Sequence, residues 1–130
     1  MKDNGRSEIY NRARSFKYAF AGWWYVLRTQ HNAWIHAVIT TAVILLALWL
    51  KRPRQEWAIL ILTFMAVWMA EFMNTAIEAL VDMASPEYHP LAKVAKDVAA
   101  AAVLLGAIGA VIIGLLLLGP PLWEKVIGNR

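Results

Sequence analysis

Cysteine is absent from the 130-residue sequence. Disulfides and thiolate metal sites are therefore excluded, although the absence does not fix the redox compartment. No signal peptide is expected either, because the first long apolar run begins only near Ala33, after a mixed segment carrying six Lys and Arg. Charge disappears from the middle of the chain, where Trp57 to Ala70 carries none. The length leaves room for one compact unit and not for two ordinary domains. What the chain has in quantity is apolar surface. The apolar fraction is 60% and the mean hydropathy +0.48, against about 45–50% apolar for a soluble domain. Seven tryptophans suit anchoring at membrane–water interfaces. The net charge is +4, and Lys and Arg lie mainly outside the apolar runs. That arrangement suits anionic headgroups or a nucleotide phosphate, with no nucleic-acid partner expected. The chain reads as an all-α integral membrane protein.

Met1 to Ser7 is polar and expected to fray. From Glu8 to Gln30, Ile9, Phe16, Phe20, Trp23, Trp24 and Leu27 recur at helical spacing, and Arg12, Arg14, Lys17, Tyr18, Tyr25 and Arg28 take much of the other side. This pattern predicts an amphipathic surface helix over 8–30, apolar face toward lipid. A soluble helix packing on a partner is the alternative. Gln30-His31-Asn32 breaks the pattern and marks an elbow. Three transmembrane helices are then predicted over 33–50, 57–83 and 91–118. Lys51-Arg52-Pro53-Arg54-Gln55 ends the first, Ala84 to Pro90 forms the second connection, and Pro90 suits a first helical position. Gly106, Ala110 and Gly114 permit close helix approach, and Gly119-Pro120-Pro121 is expected to stop the third span. Eight Lys and Arg fall in the N-terminal segment and second connection, against five in the first connection and tail. The bias predicts a cytoplasmic N-terminus.

The chemistry concentrates on the second span. Glu71, Asn74, Glu78 and Asp82 are spaced 3, 4 and 4 residues apart, which sets them within about 80° of one another on a helix. The other faces of this stretch are Phe72, Met73, Ala76, Ile77, Leu80 and Val81. Charge facing lipid is costly, so the acidic stripe turns inward or toward the interface, and ionisable groups there are candidate functional residues. The topology brings this stripe to the same end as Arg14, Gln30, Lys96 and Asp97. Carboxylates beside lysines suit Mg²⁺ with a polyphosphate, and phosphoryl transfer needs charge neutralisation and a residue to deprotonate the attacking hydroxyl. Glu71 lies deeper, where a lipid alcohol would meet it, and Glu78 nearer the water. No Walker A sequence, Gly-rich kinase loop or His-Arg-Asp triplet is present, which excludes the soluble kinase architectures. An ion or proton pathway and structural pairing with Lys93 or Lys96 are the competing readings. The charge-free run from Trp57 to Ala70 argues against a pathway. His31, His36 and His89 lack metal-ligand spacing and read as hydrogen-bonding or interfacial histidines.

Three blocks carry a resemblance over Ser15 to about Leu118: Glu71-x-x-Asn74-Thr75-Ala76-Ile77-Glu78-x-x-x-Asp82, then His89-Pro90-Leu91-Ala92-Lys93-x-Ala95-Lys96-Asp97, and Ser15-Phe16-x-x-Ala19-x-x-Gly22 with Asn32 and His36. In this order the chain resembles the small prokaryotic diacylglycerol kinase/undecaprenol kinase family. The resemblance implies three membrane helices and a surface helix, assembled as a homotrimer with active sites shared between subunits. It implies transfer of the ATP γ-phosphate, with Mg²⁺, to a membrane lipid alcohol at the cytoplasmic face of a bacterial inner membrane. By position, Glu71 would be the general base and Glu78 a metal ligand. Asn74, Lys96 and Asp97 would contact the nucleotide, Asp82 would support its end, and Arg14 or Lys17 would reach phosphates. The His-Pro-Leu-Ala-Lys wording and the Asn32/His36 pair are more similar to the undecaprenol branch, with diacylglycerol as the alternative substrate.

One position departs from the pattern. Eight residues after Gly22 the family has a glutamate that joins the Glu78-type residue on metal, and this chain has Gln30. A neutral amide oxygen is a weaker Mg²⁺ ligand than a carboxylate. An introduced Glu→Gln change, a natural member holding metal through Glu78 and phosphate oxygens, and a silent homologue that only binds lipid or nucleotide are the three open explanations.

Overall fold

The computed structural model describes residues 4–128, with side chains at Arg12 and from Arg14 onward. Four helices follow in order: α1 Asn4–Thr29, α2 His31–Trp49, α3 Arg54–Ala84 and α4 Pro90–Val126. The last three are long and apolar enough to cross a membrane. At about 1.5 Å per residue they measure roughly 28, 46 and 55 Å, so α3 and α4 outrun a hydrocarbon core about 30 Å thick. Asn4–Ser7 are helical where fraying was expected. Met1–Asp3 and Arg130, and with them Lys2, lie outside the described residues, as do the side chains of Arg6, Glu8 and Ile9.

Each junction has a local cause. Gln30 is extended (φ −104°, ψ 113°) between two helices. Its N–H closes α1 on the Val26 carbonyl at 2.9 Å, and its own carbonyl accepts from Ala33 N–H at 3.2 Å to open α2. The elbow is one residue wide. At the other end of α2, Lys51 has φ +51°. Lys51 N–H bonds the Leu48 carbonyl and Arg52 N–H the Ala47 carbonyl, the paired bonds of a left-handed helix stop in a position that glycine usually fills. Arg52 then reaches forward to Glu56 through two hydrogen bonds, and that bonding raises the guanidinium pKa above its ordinary value. At α4 the His89 ring accepts from Leu91 N–H at 3.2 Å, and Pro90 opens the helix, where a missing N–H costs nothing.

The expected stop at Gly119-Pro120-Pro121 does not occur. Both prolines lie inside α4, which runs to Val126. Proline's fixed φ is helical, but each ring removes one backbone bond and crowds the carbonyl four residues back, a local cost of about 3 kcal/mol or more. Packing offsets it. Leu118 is buried with Ala47, Leu50 and Leu60, Leu122 packs against the same cluster, and Lys125 Nζ donates to the Trp49 carbonyl at 2.8 Å while lying 4.3 Å over the Trp49 ring.

That cluster clasps the bundle at the end holding the α2–α3 turn and the C-terminal part of α4. The α1–α2 elbow, the end of α3 and the start of α4 share the opposite end. Most of the packing between helices is of α4 along α3. Of the two glycines expected to permit close approach, Gly106 faces Val67 at 3.8 Å from a would-be Cβ, which is ordinary contact, and Gly114 faces open space. Neither is needed for packing within this chain. Large apolar side chains on α2, α3 and α4 remain exposed, as helices in lipid or against other copies would have them.

Candidate functional site

α3 turns Glu71, Asn74 and Glu78 of its polar stripe inward at the elbow end, while Asp82 stays exposed. Glu71 is 1% exposed and Asn74 7%, and both are among the few polar side chains buried in the chain. Thr75 is buried beside them and returns its hydroxyl to the Glu71 carbonyl at 2.9 Å. One turn further, Glu78 is held from two sides. Gln30 Nε2 donates to one carboxylate oxygen at 2.8 Å, and Asn74 Nδ2 to the other at 3.1 Å. Gln30 therefore comes to the site, but its amide nitrogen faces Glu78.

These groups line a cavity of about 270 Å³, with Asn32, Ile35 and His36 from α2 and Ala100, Val103, Leu104 and Ala107 from α4 completing the wall. Small and apolar residues on α4 leave the space open and supply no hydrogen bond. Three acceptors in it are buried without a partner: both Glu71 carboxylate oxygens and Asn74 Oδ1. Buried acceptors left unmade are costly, so the cavity is built for something that brings donors or positive charge. Hard oxygens of this kind suit Mg²⁺, which takes one or two carboxylates and completes its shell with water and phosphate. A lipid hydroxyl would satisfy the same oxygens by donating to them.

Asp82, Lys96 and Asp97 gather in a second, more open cavity of about 440 Å³ at the α3–α4 connection. Lys96 pairs with Asp82 across the helices, and Lys93 with Asp97 along α4. Both pairs are substantially exposed, so each contributes about 0–1 kcal/mol and is readily exchanged for another charged partner. Arg14 and Lys17 are not brought in. They lie on α1, 16 and 13 residues before the elbow residue Gln30, or about 24 and 20 Å along the helix axis. Arg14 donates to the Tyr18 hydroxyl at 3.0 Å, and Lys17 is exposed.

Sequence reading took His36 only as a hydrogen-bonding or interfacial histidine, paired with Asn32 in the resemblance, and did not place it against Glu71. His36 Nε2 lies 3.9 Å from Glu71 Oε2. The two are 35 positions apart, and only the antiparallel return of α3 beside α2 brings them together. On the outer side of α3, Trp23, Trp68 and Phe72 form a ring cluster with centroids 5.1 to 5.8 Å apart, which seats α1.

Comparison with known proteins gives concordant results. Residues 17–118 match the family described as prokaryotic diacylglycerol kinase. A protein of Synechocystis named diacylglycerol kinase is 50% identical over 128 residues, covering 98% of this chain and 73% of that relative. The undecaprenol kinase of Bacillus subtilis is 39% identical over 117 residues, covering 90% of this chain and 95% of its own length. The diacylglycerol kinase of Escherichia coli K12 is 39% identical over 93 residues, or 66% of this chain and 76% of that protein.

Proposed function

The chain belongs to the prokaryotic diacylglycerol kinase family, and from that premise we propose that it moves the γ-phosphate of ATP, with Mg²⁺, onto undecaprenol in the bacterial inner membrane. It is a lipid kinase and takes a nucleotide substrate. The observation that carries the reading is Glu71, fully buried in an otherwise apolar span with both carboxylate oxygens unpartnered and facing a cavity. A carboxylate so placed suits the role of general base toward an entering hydroxyl.

In this reading Glu71 takes the proton of the lipid hydroxyl as its oxygen attacks the γ-phosphorus. Glu78, oriented by Asn74 and Gln30, would hold Mg²⁺ together with phosphate oxygens and water. The ion neutralises charge on the transferring phosphoryl group when bound. Asn74 positions phosphate through its unpartnered Oδ1 only by way of metal or water, since phosphate brings no proton there. Its Nδ2 is the group suited to a phosphate oxygen. Lys96, released from Asp82, pairs with the polyphosphate, and Asp97 and Asp82 hold the nucleotide's outer end. Arg14 and Lys17 reach phosphates only from a neighbouring subunit, which agrees with a homotrimer whose sites are shared. The site end and the N-terminus face the cytoplasm, where ATP is found and where the Lys/Arg bias puts them. α1 rests on the membrane surface.

Undecaprenol is favoured by the Asn32/His36 pair and by alignment along 95% of the Bacillus subtilis undecaprenol kinase. Diacylglycerol is the second reading, favoured by the 50%-identical relative that carries that name. Transfer of labelled phosphate from ATP to each lipid in mixed micelles distinguishes them. The expected result is undecaprenyl phosphate with Mg²⁺ and none with EDTA. Glu71→Gln should abolish turnover and spare nucleotide binding, and loss of both would make Glu71 structural.

A further inference from the structure

A base that takes a proton in every turnover must also give it up, and Glu71 is closed off from solvent at 1% exposure. Among the described residues, one basic side chain has a nitrogen within 4.0 Å of its carboxylate, and that is His36, with Nε2 3.9 Å from Oε2. The separation is too long for a direct hydrogen bond. It is the right size for one bridging water oxygen, which would accept from a protonated Glu71 and donate to a bare Nε2. An oxygen about 2.7 Å from the carboxylate and about 2.8 Å from the nitrogen would subtend about 90° between them, tighter than the tetrahedral angle between an O–H bond and a lone pair but relaxed by a small widening of the gap. The His36 side chain is 15% exposed against 1% for Glu71, and both line the same cavity, so His36 has a contact with the outside that the carboxylate lacks. The other groups facing it leave it alone in this role. α3 presents the carboxylates Glu71 and Glu78, the elbow presents Gln30, α2 adds Asn32, and α4 contributes apolar residues only.

We propose that His36 is the proton relay that clears Glu71 after each transfer. The inference rests on Glu71 being the general base. In the transfer step the lipid O–H bond breaks and its proton goes to Glu71. The oxygen bonds the γ-phosphorus, and the bond from that phosphorus to the bridging oxygen breaks, with the electron pair leaving on ADP. The proton on Glu71 then passes to the neutral imidazole of His36, directly after a small side-chain shift or through one water, and from His36 to solvent. Glu71 is again a carboxylate for the next lipid.

The test compares His36→Ala, His36→Gln and Glu71→Gln in the micellar transfer assay, with added imidazole as the probe. His36→Ala should lower kcat about 10²-fold with KM for ATP and lipid nearly unchanged, and imidazole should restore much of the loss. His36→Gln keeps a donor of similar reach but cannot carry a proton, and it should stay slow. Native kcat in His36→Gln, or a slow His36→Ala that imidazole leaves unchanged while its melting profile matches the parent, overturns the relay. Glu71→Gln separates the two claims. If it is inactive while His36→Gln is fully active, only the relay fails; if Glu71→Gln turns over normally, the base and the relay fail together.

Discussion

Gln30 and Glu78 meet through an N–H···O bond of 2.8 Å, and this contact decides what a glutamate would do at position 30. Glu78 already accepts from Asn74 on its other oxygen. Without metal, Gln30→Glu would set two carboxylates against each other and remove a donor, so the melting temperature in EDTA should fall. With Mg²⁺ the same pair becomes two anionic ligands, and the variant should melt higher than the parent, bind Mg²⁺ more tightly and turn over faster. Melts with and without Mg²⁺, together with a Mg²⁺ titration of the rate, check this. An unchanged rate and an unchanged Mg²⁺ dependence would remove position 30 from metal chemistry. The acidic stripe itself was legible in the sequence, because 3 and 4 spacings in an apolar helix leave charge only one direction to face. Its partners were not. Nothing local distinguishes an amide that accepts a metal from one that donates to Glu78, and the His36–Glu71 contact depends on a fold-level juxtaposition.

At the scale of elements, the apolar runs gave all three long helices, and Gln30 and Pro90 marked junctions through backbone chemistry that acts locally. Gly119-Pro120-Pro121 misled for the opposite reason. Proline's cost is local, but the burial of Leu118 and the packing of Leu122 and Lys125 are tertiary, and the tertiary terms prevail. Leu118→Ala should therefore destabilise the bundle by about 2–5 kcal/mol, measured by unfolding in mixed detergent, with kcat of the folded fraction little changed because the site lies at the opposite end. Gly106→Ala should be neutral or stabilising by up to about 1 kcal/mol, since alanine is the better helix former and its methyl would meet Val67 at 3.8 Å without overlap.

For the whole molecule, the proposed topology of three spans would place the termini on opposite sides of the membrane. The chain has no cysteine, so single cysteines can be introduced on a silent background. A cysteine at Arg12 should label from the cytoplasmic side only and one at Lys51 from the opposite side only. The reverse pattern would put the nucleotide end on the wrong face. Light scattering of the detergent-solubilised protein should give the mass of three copies. Arg14 and Lys17, about 24 and 20 Å from the Gln30 end of their helix, then find phosphates only across a subunit boundary. A monomer that turns over at the full rate would remove them from the site.

The clasp formed by Ala47, Leu50, Leu60 and Leu118 has a mechanical consequence. The packed cluster acts as a rivet, whereas the elbow end is joined in part by polar contacts, Gln30 to Glu78 and Lys96 to Asp82, that water replaces more readily than packed side chains. Backbone amides near the rivet should exchange with solvent last and those around Gln30 and Ser85 first.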